Sequence, residues 1–270
     1  MKKMLIPCLW FNDKALEAAN FYCDLFGGKI TSSDDGSVRF NLRGRSYTAL
    51  NGGPQHQINE SISFMVYCGT DKEIERINEA LMEAGEALME MGAYPWSRRY
   101  AWVKDKFGVS WQLDVDSINN KQDIVPSLMF VNDQKYEVKH AINYYHKIFP
   151  NCQLLMKSEF EPSMKMPKGT LNFAQHKIDG NIFNFMSSHL ETVWNISSGI
   201  SFVIQCEDQQ EIDHYWEELT RDGEANRCGW LKDKYGISWQ VIPDQLSDLL
   251  NKPEGMSNFL QMTKIKIAEF

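Results

Sequence analysis

The amino-acid sequence predicts an α+β fold made of two tandem copies of one unit, and three observations carry that reading. First, Trp102-Val-Lys-Asp-Lys-Phe-Gly-Val-Ser-Trp-Gln112 recurs as Trp230-Leu-Lys-Asp-Lys-Tyr-Gly-Ile-Ser-Trp-Gln240, with eight of eleven positions identical at an offset of 230 − 102 = 128. A repeat of that period marks a duplicated structural unit. Second, other matches fall in the same order: Pro7-Cys8-Leu9 with Pro126-Ser127-Leu128, Asn20-Phe21-Tyr22 with Asn143-Tyr144-Tyr145, and Ile62-Ser63-Phe64 with Ile200-Ser201-Phe202. Third, within each copy the apolar period switches between strand and helix spacing twice.

Leu5 to Phe11 is apolar and extended. A helix follows with Ala15, Leu16, Ala18, Ala19, Tyr22, Leu25 and Phe26 on one broad face, Asp13 as its expected cap and Gly27-Gly28 as its stop. Asp34-Asp35-Gly36 and Arg43-Gly44-Arg45 read as hairpin turns. The pattern then restarts: Ser61 to Cys68 is a strand, and Thr70-Asp-Lys-Glu73 is a capping box opening a helix with Ile74, Ile77, Leu81 and Ala84. Copy two repeats this with Asp208-Gln-Gln-Glu211, then Ile212, Tyr215, Trp216 and Leu219. Each copy is therefore β-α-β-β-β twice over. A polar stretch, Asp116 to Gln122, suits a linker, which gives domains at 1–118 and 123–250 and a C-terminal helix at 251–270.

Composition narrows the function class. A net charge of −8 argues against nucleic acid as partner, because phosphate binding wants a basic face. No run of 18 apolar residues exists to span a membrane, and the apolar start breaks at Asn12-Asp13-Lys14 without a cleavage site, so the expected location is cytoplasmic. The six cysteines form no CxxC pair, which is the pattern of reduced core thiols rather than a zinc site. None of the six histidines repeats between copies. His140 and His146, on one predicted helix, read as surface or interface residues.

Several stretches together resemble a known family: Leu9-Trp-Phe11, Ala18-Ala-Asn-Phe-Tyr22, Leu50-Asn-Gly-Gly-Pro54, Ser61-Ile-Ser-Phe64, Cys228-Gly-Trp-Leu-Lys-Asp233 and Gly236-Ile-Ser-Trp-Gln240. They are similar to the PhnB-like (3-demethylubiquinone methyltransferase-like) branch of the vicinal oxygen chelate, or glyoxalase-bleomycin resistance, superfamily. The resemblance implies two tandem domains of paired β-α-β-β-β modules, each a curved half-open barrel around a small-molecule pocket.

In metal-dependent members of that superfamily a His or Gln early in strand one is the first ligand. Here Ile6 or Pro7 and Val125 or Pro126 occupy those places, Ser61 and Gly199 stand where a second ligand would, and Gln112 and Gln240 replace the usual closing Glu. One amide and one hydroxyl make a poor divalent site, so no metal and no other cofactor is expected. Strand alternation puts Val109, Trp111 and Leu113 toward the helices and Ser110 and Gln112 toward the barrel interior. The expected pocket lining is Ser61, Ser63, Trp102, Ser110 and Gln112 in copy one, and Ser201, Trp230, Ser238 and Gln240 in copy two. The two glutamines either face a cavity or hold buried polar groups. The expectation is that they face a cavity, so that Gln112→Glu is tolerated, as is Gln240→Glu. Lys104-Asp105 and Lys232-Asp233 read as solvent-exposed ion pairs in turns, and Asn51-Gly52-Gly53-Pro54, which lacks a phosphate-loop lysine, as a plain turn.

The expected protein is thus a metal-independent, PhnB-like small-molecule protein whose catalytic residues the sequence does not name. The alternative is a sequestering, resistance-type binder, and a metal-dependent lyase, isomerase or dioxygenase is the least favoured. Methyl transfer finds no glycine-rich loop after strand one. The two copies are expected to pair as a pseudo-dimer within the chain, with a homodimer of whole chains as an open alternative.

Overall fold

The computed structural model describes residues 4–115 and 122–270, so all of the expected linker except Gln122 lies outside the described residues. Four modules follow one another. The first holds β1 (Leu5–Phe11), α1 (Ala15–Phe26), β2 (Gly28–Ser33), β3 (Ser37–Leu42) and β4 (Arg45–Asn51). The second holds β5 (Ile62–Tyr67), α2 (Asp71–Met82), β6 (Glu86–Tyr94), β7 (Ser97–Lys104) and β8 (Ser110–Asp114). The third holds β9 (Ile124–Phe130), α3 (Val138–Ile148), β10 (Gln153–Glu159), β11 (Leu171–Ile178) and β12 (Asn181–Ser187). The fourth holds β13 (Ile200–Cys206), α4 (Gln209–Thr220), β14 (Glu224–Ala225), β15 (Trp230–Lys232) and β16 (Ser238–Pro243).

The strands form two eight-stranded sheets, and each sheet takes one module from each copy. The first sheet runs β14-β15-β16-β13-β1-β4-β3-β2, joining modules four and one. The second runs β10-β11-β12-β9-β5-β8-β7-β6, joining modules three and two. At each centre two antiparallel strands meet, with Cys8 opposite Ser201 in the first sheet and Ser63 opposite Ser127 in the second. The two halves of each barrel are thus exchanged between copies. Among the described residues neither sheet closes on itself.

The alternation read from the sequence sets the two faces of each sheet. Leu9, Phe40, Phe64, Trp111, Phe130, Phe202 and Trp239 belong to one continuous buried core. Cys8, Ser63, Gln112, Ser127, Ser201 and Gln240, at the intervening positions, turn to the concave side, as period-two side chains must. Thr70 and Asp208 cap α2 and α4, each accepting from the backbone N–H three residues on.

The cap of α1 differs from expectation. Asp13 sits in the left-handed region at φ 57°, and Asn51 of β4 supplies the acceptor instead, its Oδ1 taking the Ala15 N–H at 2.9 Å. Asn51 lies beside the glycines of its turn, and Gly52 is obligatory there: a Cβ would stand 2.1 Å from the Trp10 ring. The tail also differs. It forms α5 (Leu246–Leu250) and α6 (Gly255–Gln261), and then runs extended to a short 3-10 turn at Ile267–Glu269. Pro253 and the left-handed Glu254 separate α5 from α6, and beyond Gln261 the chain leaves the helix so that Ile265 is fully buried in the core.

The Lys-Asp turns are corrected outright. Asp105 and Asp233 are buried, 4% and 3% exposed. Asp105 accepts from the Tyr22 hydroxyl, the Trp111 indole and the Phe107 and Val109 amides. Asp233 accepts from Tyr145, Trp239, Tyr235 and Ile237 in the same pattern. Lys104 pairs instead with Glu60, at 3.2 Å, and with Glu86. The repeated motif is therefore a carboxylate rivet that ties helix, turn and closing strand together.

Candidate functional site

Eight concave residues correspond through the repeat and the strand registers. In the first sheet they are Cys8, Thr48, Ser201 and Gln240, and in the second Ser127, Asn184, Ser63 and Gln112. Ser238 and Ser110 lie one pleat further along the same closing strands. Gln240 donates to Ser201 at 3.0 Å, as Gln112 donates to Ser63 at 2.7 Å. The predicted residues Ser63, Trp102, Ser110 and Gln112 come together on one concave face, and Ser201, Trp230, Ser238 and Gln240 on the other. Ser61 does not join them: it precedes β5, takes the Ser197 N–H and bonds Asn59, fastening two loops.

The two faces differ in how far they are filled. In the second sheet the Tyr100 hydroxyl donates to Gln112 Oε1 at 2.6 Å, and Trp102 donates to Ser110 at 2.6 Å. Asn184 bonds Ser127 and Gln175, and Gln175 reaches Tyr67. Met65, Tyr100, Val125 and Ile182 form a second buried apolar cluster over this network, and Gln112 is fully buried. In the first sheet the equivalents of Val125, Met129 and Asn184, which are Ile6, Trp10 and Thr48, are all partly exposed, and Gln240 keeps 8% exposure.

A deletion explains the difference. Tyr100 sits on the long β6–β7 hairpin, which forms the edge of the second sheet beside β8. Its counterpart in module four is cut to two and three residues. Cys228, at the position of Tyr100, turns away in the left-handed region and directs its thiol to the Phe259 carbonyl in the tail. The signal was present in the chain: 102 − 85 = 17 residues separate Gly85 from Trp102, whereas 230 − 223 = 7 separate Gly223 from Trp230.

Sequence reasoning did not single out Cys8, Trp10 or His56 as site residues. Trp10 meets the Trp230 ring edge-on at 5.8 Å and the His56 ring at 4.9 Å, and its indole donates to the Gly53 carbonyl. Trp10 and His56 also line a cleft of about 480 Å³ together with Lys14, Lys106 and Phe107, a volume ordinary for small-ligand pockets. Burial pushes the Cys8 thiol up to about 11, with Gln240 and Ser201 offsetting part of that rise, so the thiol stays protonated at neutral pH. Partial burial and the nearby Lys232 ammonium lower the His56 pKa, which keeps its ring neutral.

A divalent ion in either barrel would need charged or imidazole donors. The eight central residues supply one thiol, hydroxyls and amides only, so they do not fit such an ion. Among the described residues no helix is long and apolar enough to cross a membrane.

Comparison with known proteins agrees with this architecture. A Bacillus cereus structure described as a putative 3-demethylubiquinone-9 3-methyltransferase, PhnB protein, is 32% identical over 41% of this chain and 98% of its own, at a TM-score of 0.39. Glyoxalase I from Zea mays covers 92% of this chain and 95% of its own at 16% identity and a TM-score of 0.61. A putative dioxygenase from Bacillus subtilis covers 90% and 86% at 12% identity and a TM-score of 0.51. At those identities the last two share the fold alone. A search of curated proteins gives no match. The model of the 3-demethylubiquinone-9 3-methyltransferase family matches residues 3–114 and again 122–242, so the chain belongs to that PhnB-like family, carried twice in tandem on the glyoxalase fold.

Proposed function

We propose that the concave face of the first sheet binds a small, flat, uncharged organic molecule and that the second sheet's face is structural. The carrying observation is the shortened β14–β15 hairpin, which leaves Gln240, Trp230 and Trp10 without the tyrosine cover that seals Gln112. Two tryptophans offer apolar area and ring edges, and one amide with two serines gives directional hydrogen bonds. The reading is metal-independent and cytoplasmic, with the two copies acting as a pseudo-dimer inside one chain. A homodimer of whole chains is not needed to complete the face.

Sequestration is favoured over catalysis by one observation. Among the described residues the one thiol on this face is held protonated, and its other central groups are amides and hydroxyls with no pKa near neutrality. A catalytic version would rest on His56 at the rim. Methyl transfer gains no support, because the Asn51–Pro54 turn lies under Trp10 and caps α1 through a side chain rather than presenting a helix N-terminus to a cofactor.

Fluorescence titration of the full chain with a panel of flat aromatic amides and quinones tests the reading. It expects saturable quenching that weakens about tenfold or more in Gln240→Leu and Trp230→Ala and persists in Trp102→Ala. Equal loss in Trp102→Ala, or no saturable quenching across the panel, contradicts it.

A further inference from the structure

We infer that His146, Cys152 and His176 form a binding site for a zinc-type divalent ion on the helix side of the second sheet, remote from both concave faces. Their candidate ligand atoms all lie within 4.8 Å of one another. His146 is on the last turn of α3, Cys152 sits just before β10, and His176 is on β11, so the site lies where these three elements converge. Imidazole and thiolate are the donors zinc prefers, and three protein ligands leave a fourth position open to water.

An independent observation points to a ligand there. His176 has no exposed surface, and neither of its ring nitrogens has a hydrogen-bond partner. A buried polar group without a partner is costly and rare, and a metal bond would satisfy one of these nitrogens.

The repeat shows that the fold does not require this histidine. His176 pairs in register with Phe183, and the matching pair in module one is Phe40 with Tyr47. Copy one thus fills the same core position with an apolar ring that packs against Tyr22 and Tyr47. His146 follows Tyr145 as Cys23 follows Tyr22, so the second ligand is also particular to copy two.

The geometry needs modest closure. Ligand atoms around a tetrahedral zinc ion with bonds of about 2.0–2.3 Å stand roughly 3.3–3.8 Å apart. His146 is exposed and free to turn inward, and its ring already lies 4.5 Å from that of His176. The Cys152 sulfur now approaches the Phe149 carbonyl at 3.3 Å, and a bound cation would take its proton's place. The missing ligands in strand one still argue against a barrel metal. They do not bear on this cluster, which sequence spacing conceals because its members are 6 and 24 residues apart.

Titration of the chelator-treated full chain with Co²⁺, followed by Zn²⁺, tests the site. The expected result is one equivalent of cobalt giving a thiolate-to-metal charge-transfer band in the near ultraviolet, bleached by zinc. Cys152→Ser should abolish that band. His146→Ala, at an exposed position that leaves the core untouched, should weaken cobalt binding about tenfold or more, at least the cost of losing an outer-shell partner. No band at stoichiometric cobalt, a band that survives Cys152→Ser, or unchanged affinity in His146→Ala would overturn the assignment.

Discussion

The Tyr22 hydroxyl donates to the Asp105 carboxylate at 2.8 Å, joining α1 to a turn 83 residues away, and Tyr145 donates to Asp233 at 2.6 Å in the same way. These pairs tie module one to module two and module three to module four. The strand ladders run the other way, from one to four and from two to three. Sheets and rivets together therefore link all four modules.

Breaking a rivet should unfold more than one module. Asp105→Ala leaves the Tyr22 hydroxyl, the Trp111 indole and two backbone amides without their acceptor, and at about 1–3 kcal/mol for each buried donor left unpaired the loss is about 3 kcal/mol or more. Asp233→Ala should cost the same. At roughly 2–4 °C per kcal/mol for a chain near this size, thermal unfolding should drop by about 6 °C or more. A fall within 2 °C for either variant would show that the carboxylate contributes little.

The pH dependence has a definite sign. Burial raises Asp233 from 3.8 to about 6 despite its four donors. A folded-state pKa above the unfolded value means the folded chain holds its proton more tightly. The contribution is therefore fully present below about pH 4 and is lost as pH rises toward 6. At about 1.4 kcal/mol per unit, that loss is about 3 kcal/mol. Asp233→Asn has no such titration, so its stability deficit in urea should be widest near pH 4 and narrow toward pH 6. A deficit that widens over this interval would mean the four donors outweigh burial.

The two glutamines should respond differently to charge. The sequence alone suggests tolerance at both. With Gln112 fully enclosed by Tyr100 and Ser63, Gln112→Glu buries a carboxylate and loses a donor, at a cost of several kcal/mol. Gln240→Glu, at the more open face, should be the milder change. Thermal unfolding at pH 8 should show a drop of more than about 10 °C for the first and under half of that for the second. Equal drops would remove the distinction between the faces.

Residues 1–118 alone contain modules one and two, which do not pair with each other. The β1 and β5 edges that meet β13 and β9 would then be bare, and such edges seek partners. This fragment should form a dimer that rebuilds both central ladders with a second copy, or should aggregate. Light scattering that finds a stable, folded monomer would contradict the exchanged pairing.

Much of this was legible in the chain. Strand alternation assigned Ser63, Gln112, Ser201 and Gln240 to the concave side, and Thr70 and Asp208 announced their helices. Other features were hidden because they depend on contacts between distant segments. Asp105 and Asp233 looked like exposed turn residues, since nothing local reveals that Tyr22 and Tyr145 arrive from the helices. Asn51 caps α1 from another strand. Ser61 shares its parity with Ser63 but falls just outside the strand. The exchanged module pairing lies beyond periodicity altogether, because either arrangement buries the same faces.

The central claim, that the first sheet's concave face is open to small molecules and the second sheet's is closed, is tested most directly by nitrogen-proton correlation spectra of the labelled full chain with a cocktail of flat organic fragments. The Trp230 indole and Gln240 side-chain amide resonances, assigned through Trp230→Phe and Gln240→Leu, should shift on titration and saturate. Those of Trp102 and Gln112 should stay in place. Shifts at Trp102 and Gln112, or a spectrum in which the Trp230 and Gln240 signals never move, would contradict the account.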